Sequence, residues 1–177
     1  MGTAKNHLQV KYFAAIAYIP ELQLQKAISA IETIFSPIEH DSPVYEYTGF
    51  THYYNQEMGD RILKKFIVFK DLLTPEALPE LKLATNALEE KYTHSGIRQL
   101  NIDPGYVSEA KVVLATTKNY SHRIYLNKGI YGDLHLMYAH KRFQTMPWTY
   151  PDYQTPERLQ FFEGVREQYL KQLKDTL

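Results

Sequence analysis

The stretch VKYFAAIAYI, residues 10–19, is apolar at both its odd and its even positions. Successive side chains of a β-strand point to opposite faces of a sheet, so a run that is apolar on both faces predicts a strand covered on both sides. The alternative is a strand with one face of very small side chains. In either case we expect residues 10–19 to form a strand of the core.

The segments that follow predict helices and strands in alternation. Pro20 opens an amphipathic helix that Ser36-Pro37 ends. Residues 43–54 are β-rich, residues 55–60 predict a turn, and residues 62–73 predict a further strand. The apolar stripe of the first helix comprises Leu24, Ala27, Ile28, Ile31, Ile34 and Phe35.

Thr74-Pro75-Glu76 has the pattern of a second helix start: a capping hydroxyl, a proline in the first turn and an acid near the positive helix end. This helix is expected to end before Gly96. A strand over residues 97–102 then completes the order βαββαβ, the pattern of a ferredoxin-like unit. The stripe of this helix comprises Leu78, Leu81, Thr85, Leu88 and Tyr92.

Residues 107–118, VSEAKVVLATTK, are compatible with a helix or a strand, and we favour a short helix capped by Ser108. A β-meander follows, with turns at Asn127-Lys128-Gly129 and Ala139-His140-Lys141. Thr155-Pro156-Glu157 starts a final helix. The predicted fold is therefore a single α+β domain over residues 1–177: a mostly antiparallel sheet in ferredoxin-like βαββαβ order with an added β-meander and a C-terminal helix.

The composition excludes several classes of function. The 20 basic and 20 acidic side chains balance, so the net charge does not support nucleic-acid binding. The absence of cysteine excludes disulfides, iron–sulfur clusters and cysteine nucleophiles. No signal peptide and no apolar run of about 20 residues is present, so we expect a cytoplasmic protein without a membrane segment.

Residues 101–123 contain more polar and basic side chains than a loop requires. Asn101 and Asp103 lie two apart at the end of a strand, so their side chains should share one face. Pro104-Gly105 is expected to stop that strand. If the next segment is helical, a narrow arc of that helix holds Lys111, Ala115, Lys118 and His122, with Arg123 directly after it.

Two interpretations of this cluster stay open. Asp103 could cap a turn and pair with one of the basic side chains, as in a common Asx turn. Alternatively, the cluster forms a pocket for a phosphate or carboxylate, in which Asp103 or His122 transfers a proton. Residue chemistry alone does not separate the two, because structural ion pairs and sites contain the same groups.

Four segments resemble a bacterial and archaeal family described as domain of unknown function 4416. They are YYNQEMG (53–59), KLATNALE (82–89), NIDPGYVSEAKVVLATTKNYSHRIYL (101–126) and FQTMPWTYPDY (143–153). The resemblance extends over nearly the whole chain. Members of that family are often labelled GTP-binding, but this chain has no G-x-x-x-x-G-K-[ST] loop, and NKGIYGD matches Asn-Lys-x-Asp only loosely. A conventional GTPase is therefore not expected.

The family-like segments add residues to the predicted pocket. Lys82 and Asn86 lie four apart beside the buried stripe of their helix, as a rim salt bridge or as a second wall of the pocket. The candidate catalytic residues are Asp103 and His122. The candidate ligand-binding residues are Asn101, Lys111, Lys118, Arg123, Lys82, Asn86, Glu57 and Trp148.

We therefore expect a protein that binds, or acts on, a small anionic or phosphorylated ligand such as a nucleotide. The alternative is a non-catalytic interaction module whose aromatic surface, including Trp148, binds a protein or RNA partner. Two pairs, His52 with Glu57 and Asp133 with His135, could each supply two metal ligands, but neither has the spacing of a metal motif. No metal residue is predicted, and the cofactor is left unknown.

Overall fold

Strand β1, Val10–Tyr18, lies between the strands Leu63–Leu73 (β4) and Leu100–Val107 (β7) and is buried along its whole length. Its even-numbered side chains pack into one apolar core and its Phe13 and Ala15 into another. The two cores lie on opposite faces of the sheet because alternate residues of a strand point in opposite directions. The prediction of a strand covered on both sides is confirmed.

The computed structural model describes residues 2–51 and 54–176 of the chain. The other strands in these ranges are β2 (Ile38–Asp41), β3 (Tyr45–Glu46), β4 (Leu63–Leu73), β5 (Thr93–His94), β6 (Ile97–Arg98), β7 (Leu100–Val107), β8 (Lys111–Thr116), β9 (Arg123–Asn127), β10 (Ile130–Ala139) and β11 (Arg142–Thr145). The helices are α1 (Leu24–Ile34), α2 (Asn55–Met58), α3 (Leu78–Lys91) and α4 (Pro156–Thr176). Single 3₁₀ turns precede α3 at Pro75–Ala77 and α4 at Pro151–Gln154.

The large sheet is antiparallel and has the order β11-β10-β8-β7-β1-β4-β2. Strand β3 also pairs with β4, β9 pairs with β10, and β5 and β6 form a separate hairpin. Helices α1 and α3 contribute Ala27, Ile31, Leu78, Leu81 and Leu88 to one core. Helix α4 contributes Phe162 and Val165 to the other. The predicted α+β class, the meander and the C-terminal helix are confirmed, and no described helix is long and apolar enough to cross a membrane.

The predicted end of a strand at Pro104-Gly105 is wrong, because β7 runs through both residues. The side-chain amine of Lys82 donates to the carbonyl O of Ile102, and the N–H of Ile102 donates to Glu89. The N–H and C=O groups of Ile102 therefore point away from β1. Because the direction of these groups alternates from one residue to the next along a strand, the nitrogen of Pro104 also points away from β1. A proline there removes no hydrogen bond to β1, so the strand continues.

The predicted helix over residues 107–118 is wrong, because Lys111–Thr116 is strand β8. The β-branched pair Val112 and Val113 packs into the two cores on opposite faces of the sheet. The close approach of β7 to β8 depends on Gly105: a Cβ there would lie 2.5 Å from the carbonyl O of Val113. Lys111, Lys118 and His122 consequently do not share a helical arc.

The β-rich prediction for residues 43–54 is wrong for most of that segment. Its only strand in the described ranges is the two-residue β3, and residues 52 and 53 lie outside them. Strand β2 lies earlier and was not predicted. The expected turn over residues 55–60 includes helix α2. The ferredoxin-like order, which was built on a strand over residues 43–54, stays a prediction.

Candidate functional site

A cavity of about 670 Å³ lies beside the segment where β7 and β8 separate. The two strands pair only from Gly105 to Val107, so the first half of β7 has no neighbouring strand on that side among the described residues. Helix α3 and the residues after β8 form two of its walls. This polar cavity is lined by six of the predicted site residues: Glu57, Lys82, Asn86, Asn101, Asp103 and Lys118.

A second cavity of about 280 Å³ shares Tyr54, Lys118 and Tyr150 with the polar cavity, so the two adjoin. The described residues of its wall include four tyrosines and the predicted residue Arg123, and we call it the aromatic cavity. Burial raises the pKa of Tyr47, Tyr54 and Tyr150. Their hydroxyls therefore stay protonated at neutral pH and can donate hydrogen bonds.

Asp103 is held on both of its carboxylate oxygens. Lys82 Nζ lies 3.0 Å from Oδ1, and Asn101 Nδ2 donates to Oδ2 across 2.9 Å. The predicted shared face of Asn101 and Asp103 is thus confirmed. Burial acts to raise the pKa of Asp103, but the charges of Lys82 and Lys64 and these hydrogen bonds outweigh it and hold the pKa below its usual range. Asp103 is a fixed carboxylate.

Arg98 and Glu89 complete this network and were missed by the sequence analysis. Arg98 Nη2 donates to Glu89 Oε2 at 2.7 Å and to Asn101 Oδ1 at 2.6 Å, and Nη1 donates to Glu57 Oε2 at 2.8 Å. Burial raises the pKa of Glu89. The position of Glu89 beside Lys82 could have been inferred from the sequence, because the two residues are seven apart and share one face of α3. Nothing local to Arg98 indicates its contacts.

A second buried network holds Arg123 in the wall of the aromatic cavity. Arg123 Nε donates to Asp133 Oδ2 at 2.9 Å, and the two residues are direct partners in the β9–β10 pairing. Arg123 also donates to the hydroxyl of Tyr150 and to the carbonyl of Lys118. Burial acts to raise the pKa of Asp133, but His135 and Arg123 outweigh it and hold the pKa low. The Asp133 carboxylate therefore holds the Arg123 guanidinium in place.

His135 extends this network through contacts with Asp133 and with the backbone of Tyr150. The backbone N–H of Tyr150 donates to His135 Nε2 at 3.0 Å, so Nε2 is an acceptor and the ring proton is on Nδ1, which faces Asp133 Oδ1 at 3.3 Å. Burial lowers the pKa of His135, so the ring is neutral. Both ring nitrogens are thus engaged within the protein. Among the described residues no group of three or more His, Cys, Asp or Glu side chains could hold a metal ion, and His52 lies outside them.

The two cavities therefore bring together side chains from segments that are distant along the chain. Residues 8–169 match the family described as Domain of unknown function (DUF4416). The chain belongs to this family. The match confirms the resemblance that four segments indicated. No curated protein and no solved structure matches the chain.

Three predicted site residues of this DUF4416 protein lie outside the walls of both cavities. Lys111 begins β8 and lines a separate cavity near the N-terminal segment. His122 stacks on Trp148, with ring centroids 4.7 Å apart, and its Nε2 lies 3.3 Å from Asp133 Oδ2. Trp148 donates its indole N–H to the carbonyl O of Leu134 at 2.8 Å. His122 and Trp148 thus pack behind the Arg123–Asp133 pair.

A buried ion pair beside the aromatic cavity was also missed by the sequence analysis. Lys64 Nζ lies 2.7 Å from Asp152 Oδ2, which also accepts a hydrogen bond from the hydroxyl of Tyr45. The same ammonium group lies 4.1 Å from the centre of the Tyr47 ring. A cation over a ring face is attracted to it, so this pair holds Tyr47 in the cavity wall.

Two side chains in the walls have hydrogen-bonding capacity that the described protein does not use. The carboxamide of Asn86 makes no hydrogen bond within residues 2–51 and 54–176, although it lines the polar cavity. Arg123 uses one N–H on each of its three nitrogens, and a guanidinium has five N–H donors. These groups can bind a ligand without breaking the internal networks.

Proposed function

We propose that the two adjoining cavities bind one small ligand that carries an anionic group, such as a nucleotide or another phosphorylated compound. One observation carries this proposal. Lys118 and Arg123 both line the aromatic cavity, and no carboxylate is among its described lining residues. Two cations in such a wall attract an anion.

The anchoring of Arg123 supports this role. Asp133 binds Nε, so the two terminal nitrogens are oriented before any ligand arrives. A planar guanidinium with terminal N–H donors suits the oxygens of a phosphate or carboxylate. The guanidinium carbon also lies 4.5 Å from the centre of the Tyr120 ring, which further limits its movement.

The aromatic wall favours a ligand with a planar group. Four tyrosine rings, Tyr47, Tyr54, Tyr120 and Tyr150, line the smaller cavity. Rings in such a wall can stack on a base, and buried hydroxyls can donate hydrogen bonds. A total volume in this range is typical of small-molecule sites. Asp103 is the residue predicted to act as acid or base.

Thermal unfolding against a panel of GTP, ATP, nucleoside monophosphates, sugar phosphates and inorganic phosphate tests the proposal. A ligand at about 100 times its Kd stabilises the fold by about 2.7 kcal/mol, which raises the Tm by roughly 5–10 °C for a chain of this size. Lys118→Glu should abolish the shift. Lys111→Glu is the matched control, because Lys111 is also an exposed lysine but lies outside both walls. A flat panel with cooperative unfolding would contradict the proposal.

A second candidate function is the interaction module, and the exposed strand β9 favours it. Ile124, Tyr125 and Leu126 are consecutive apolar residues, exposed by 73%, 56% and 41%, on a strand whose only described partner is β10. An apolar edge strand of this kind can pair with another chain. Ile124→Lys should remove such an interaction and leave the ligand-induced Tm shift unchanged.

We also infer that β1, α1, β2, β4, α3 and β7 form the ferredoxin-like unit. The inference is supported by their order along the chain and by the antiparallel sheet order β7-β1-β4-β2 within the larger sheet. Strand β2 would take the place that the sequence analysis gave to residues 43–54. An experimental structure of the chain that shows this strand order would test the inference.

A further inference from the structure

The two cavities differ in the sign of their charge. Among the described residues, five carboxylates and three basic side chains line the polar cavity. The carboxylates are Glu57, Glu89, Glu90, Asp103 and Asp133, and the cations are Lys82, Arg98 and Lys118. The carboxylates stay in excess even if Glu89, the one with a raised pKa, is neutral. The described wall of the aromatic cavity has only Lys118 and Arg123 as charged groups.

Lys82 and Arg98, which line the polar cavity, form ion pairs with carboxylates of the same wall. Lys82 lies 3.0 Å from Asp103, and Arg98 lies 2.7 Å from Glu89 and 2.8 Å from Glu57. An anion placed beside them would be repelled by the carboxylates of the same wall, which outnumber its cations. The anionic group of a ligand is therefore directed to the aromatic cavity.

A cationic group, in contrast to an anion, is attracted to the wall of the polar cavity. Glu90 is exposed at the wall and forms no ion pair within the described ranges. Each oxygen of Asp103 accepts one hydrogen bond from a side chain and can accept a second. The carbonyl oxygen of Asn86 adds a neutral acceptor in the same wall. These acceptors suit the N–H groups of an amine.

We propose that the ligand is dipolar, with an anionic group bound by Lys118 and Arg123 and a positively charged amine bound in the polar cavity by Asp103, Glu90 and Asn86. This inference rests on the proposed function and narrows it to amine-bearing anions. Lys118 lines both cavities, so the two charged groups of the ligand lie on either side of it. Simple anions and simple amines each fill only half of such a site.

Three probes distinguish the anion-binding part of the site from the amine-binding part. They are inorganic phosphate, 1,5-diaminopentane and 5-aminopentyl phosphate, each titrated by calorimetry at low salt. 5-Aminopentyl phosphate should bind at least about tenfold more tightly than either of the other two, because a partly buried ion pair is added to the same site. Lys118→Gln should weaken phosphate and 5-aminopentyl phosphate. Glu90→Gln should weaken 5-aminopentyl phosphate several-fold and leave phosphate binding unchanged.

Glu167→Gln is the matched control for Glu90→Gln, because Glu167 is an exposed glutamate of α4 outside both walls. If 5-aminopentyl phosphate gains nothing over phosphate, and Lys118→Gln still weakens both, the dipolar inference is wrong and the proposed anion site stands. If no phosphate-bearing probe binds, or if Lys118→Gln leaves their binding unchanged, the anion site and the dipolar inference both fail.

Discussion

Lys82 joins helix α3 to strand β7 by two contacts: its Nζ lies 3.0 Å from Asp103 Oδ1 and 2.9 Å from the carbonyl O of Ile102. The second contact replaces the hydrogen bond that a neighbouring strand would supply. One helix residue therefore satisfies a carbonyl on the open side of β7 and also fixes the Asp103 carboxylate in the wall of the polar cavity. The separation of β7 from β8 is tolerated because α3 compensates for it.

Lys82→Met should lower the free energy of unfolding by about 2–4 kcal/mol, because it leaves the Asp103 carboxylate and a buried carbonyl without their partner. Urea denaturation measures the change. The control is Lys128→Met, which removes an exposed pair with Glu80 and should cost less than about 1 kcal/mol. Equal losses for the two variants would contradict the role of Lys82.

Gly105→Ala should destabilise the fold by about 1–3 kcal/mol, because the new Cβ would lie 2.5 Å from the carbonyl O of Val113 and 2.8 Å from the Phe13 ring. Gly164→Ala is the matched control, since no atom beyond the adjacent residues and backbone of α4 lies within 4 Å of a Cβ at this position. That variant should gain up to about 1 kcal/mol from helix propensity. Thermal unfolding of both variants should show a lower Tm for Gly105→Ala and an unchanged or higher Tm for Gly164→Ala.

The pH dependence of stability should show the depressed pKa of Asp103. A carboxylate with a lower pKa in the folded state contributes stability above its unfolded pKa, and that stability is lost as the pH falls through the folded pKa. The free energy of unfolding should therefore fall below about pH 4. Asp103→Asn should flatten this acid limb. An unchanged slope in the variant would count against the network around Asp103.

Glu89 should act with the opposite sign. Burial raises its pKa in the folded state, so its contribution is present below the unfolded pKa and is lost as the pH rises through the folded value. Glu89→Gln should remove that loss at neutral pH, but it also weakens the bond to Arg98. The stability of the variant relative to the wild type should therefore increase as the pH rises above about 4.5. Denaturant unfolding across the pH range measures this difference.

Arg123 and Asp133 should be strongly coupled, because both side chains are almost fully buried and each is the main ionic partner of the other. A double-mutant cycle with Arg123→Met and Asp133→Leu should give a coupling free energy of about 1–3 kcal/mol. The double variant should be more stable than the sum of the single losses implies. Additive losses would show that the pair does not anchor Arg123.

Properties that depend only on neighbours along the chain were predictable. The strand at residues 10–19 followed from its apolar pattern, and the side chains of Asn101 and Asp103 share a face because strand alternation is local. The turns of the meander were also found, with Lys128, Gly129, His140 and Lys141 at positive φ. Six of the ten candidate residues line the polar cavity, and Arg123 lines the aromatic cavity.

Long-range packing decided the rest. Residues 111–116 are compatible with a helix by local preference, and they form a strand because β7 and β10 pair with them on either side. Arg98 reaches Glu57, which is 41 residues away, and Lys64 reaches Asp152, so neither contact has a local signal. The polar cavity exists because β7 and β8 separate and helix α3 supplies the missing hydrogen bonds. Chemistry along the chain thus indicated which residues would be polar and close to a strand end, whereas the pairing of distant strands determined which of them meet.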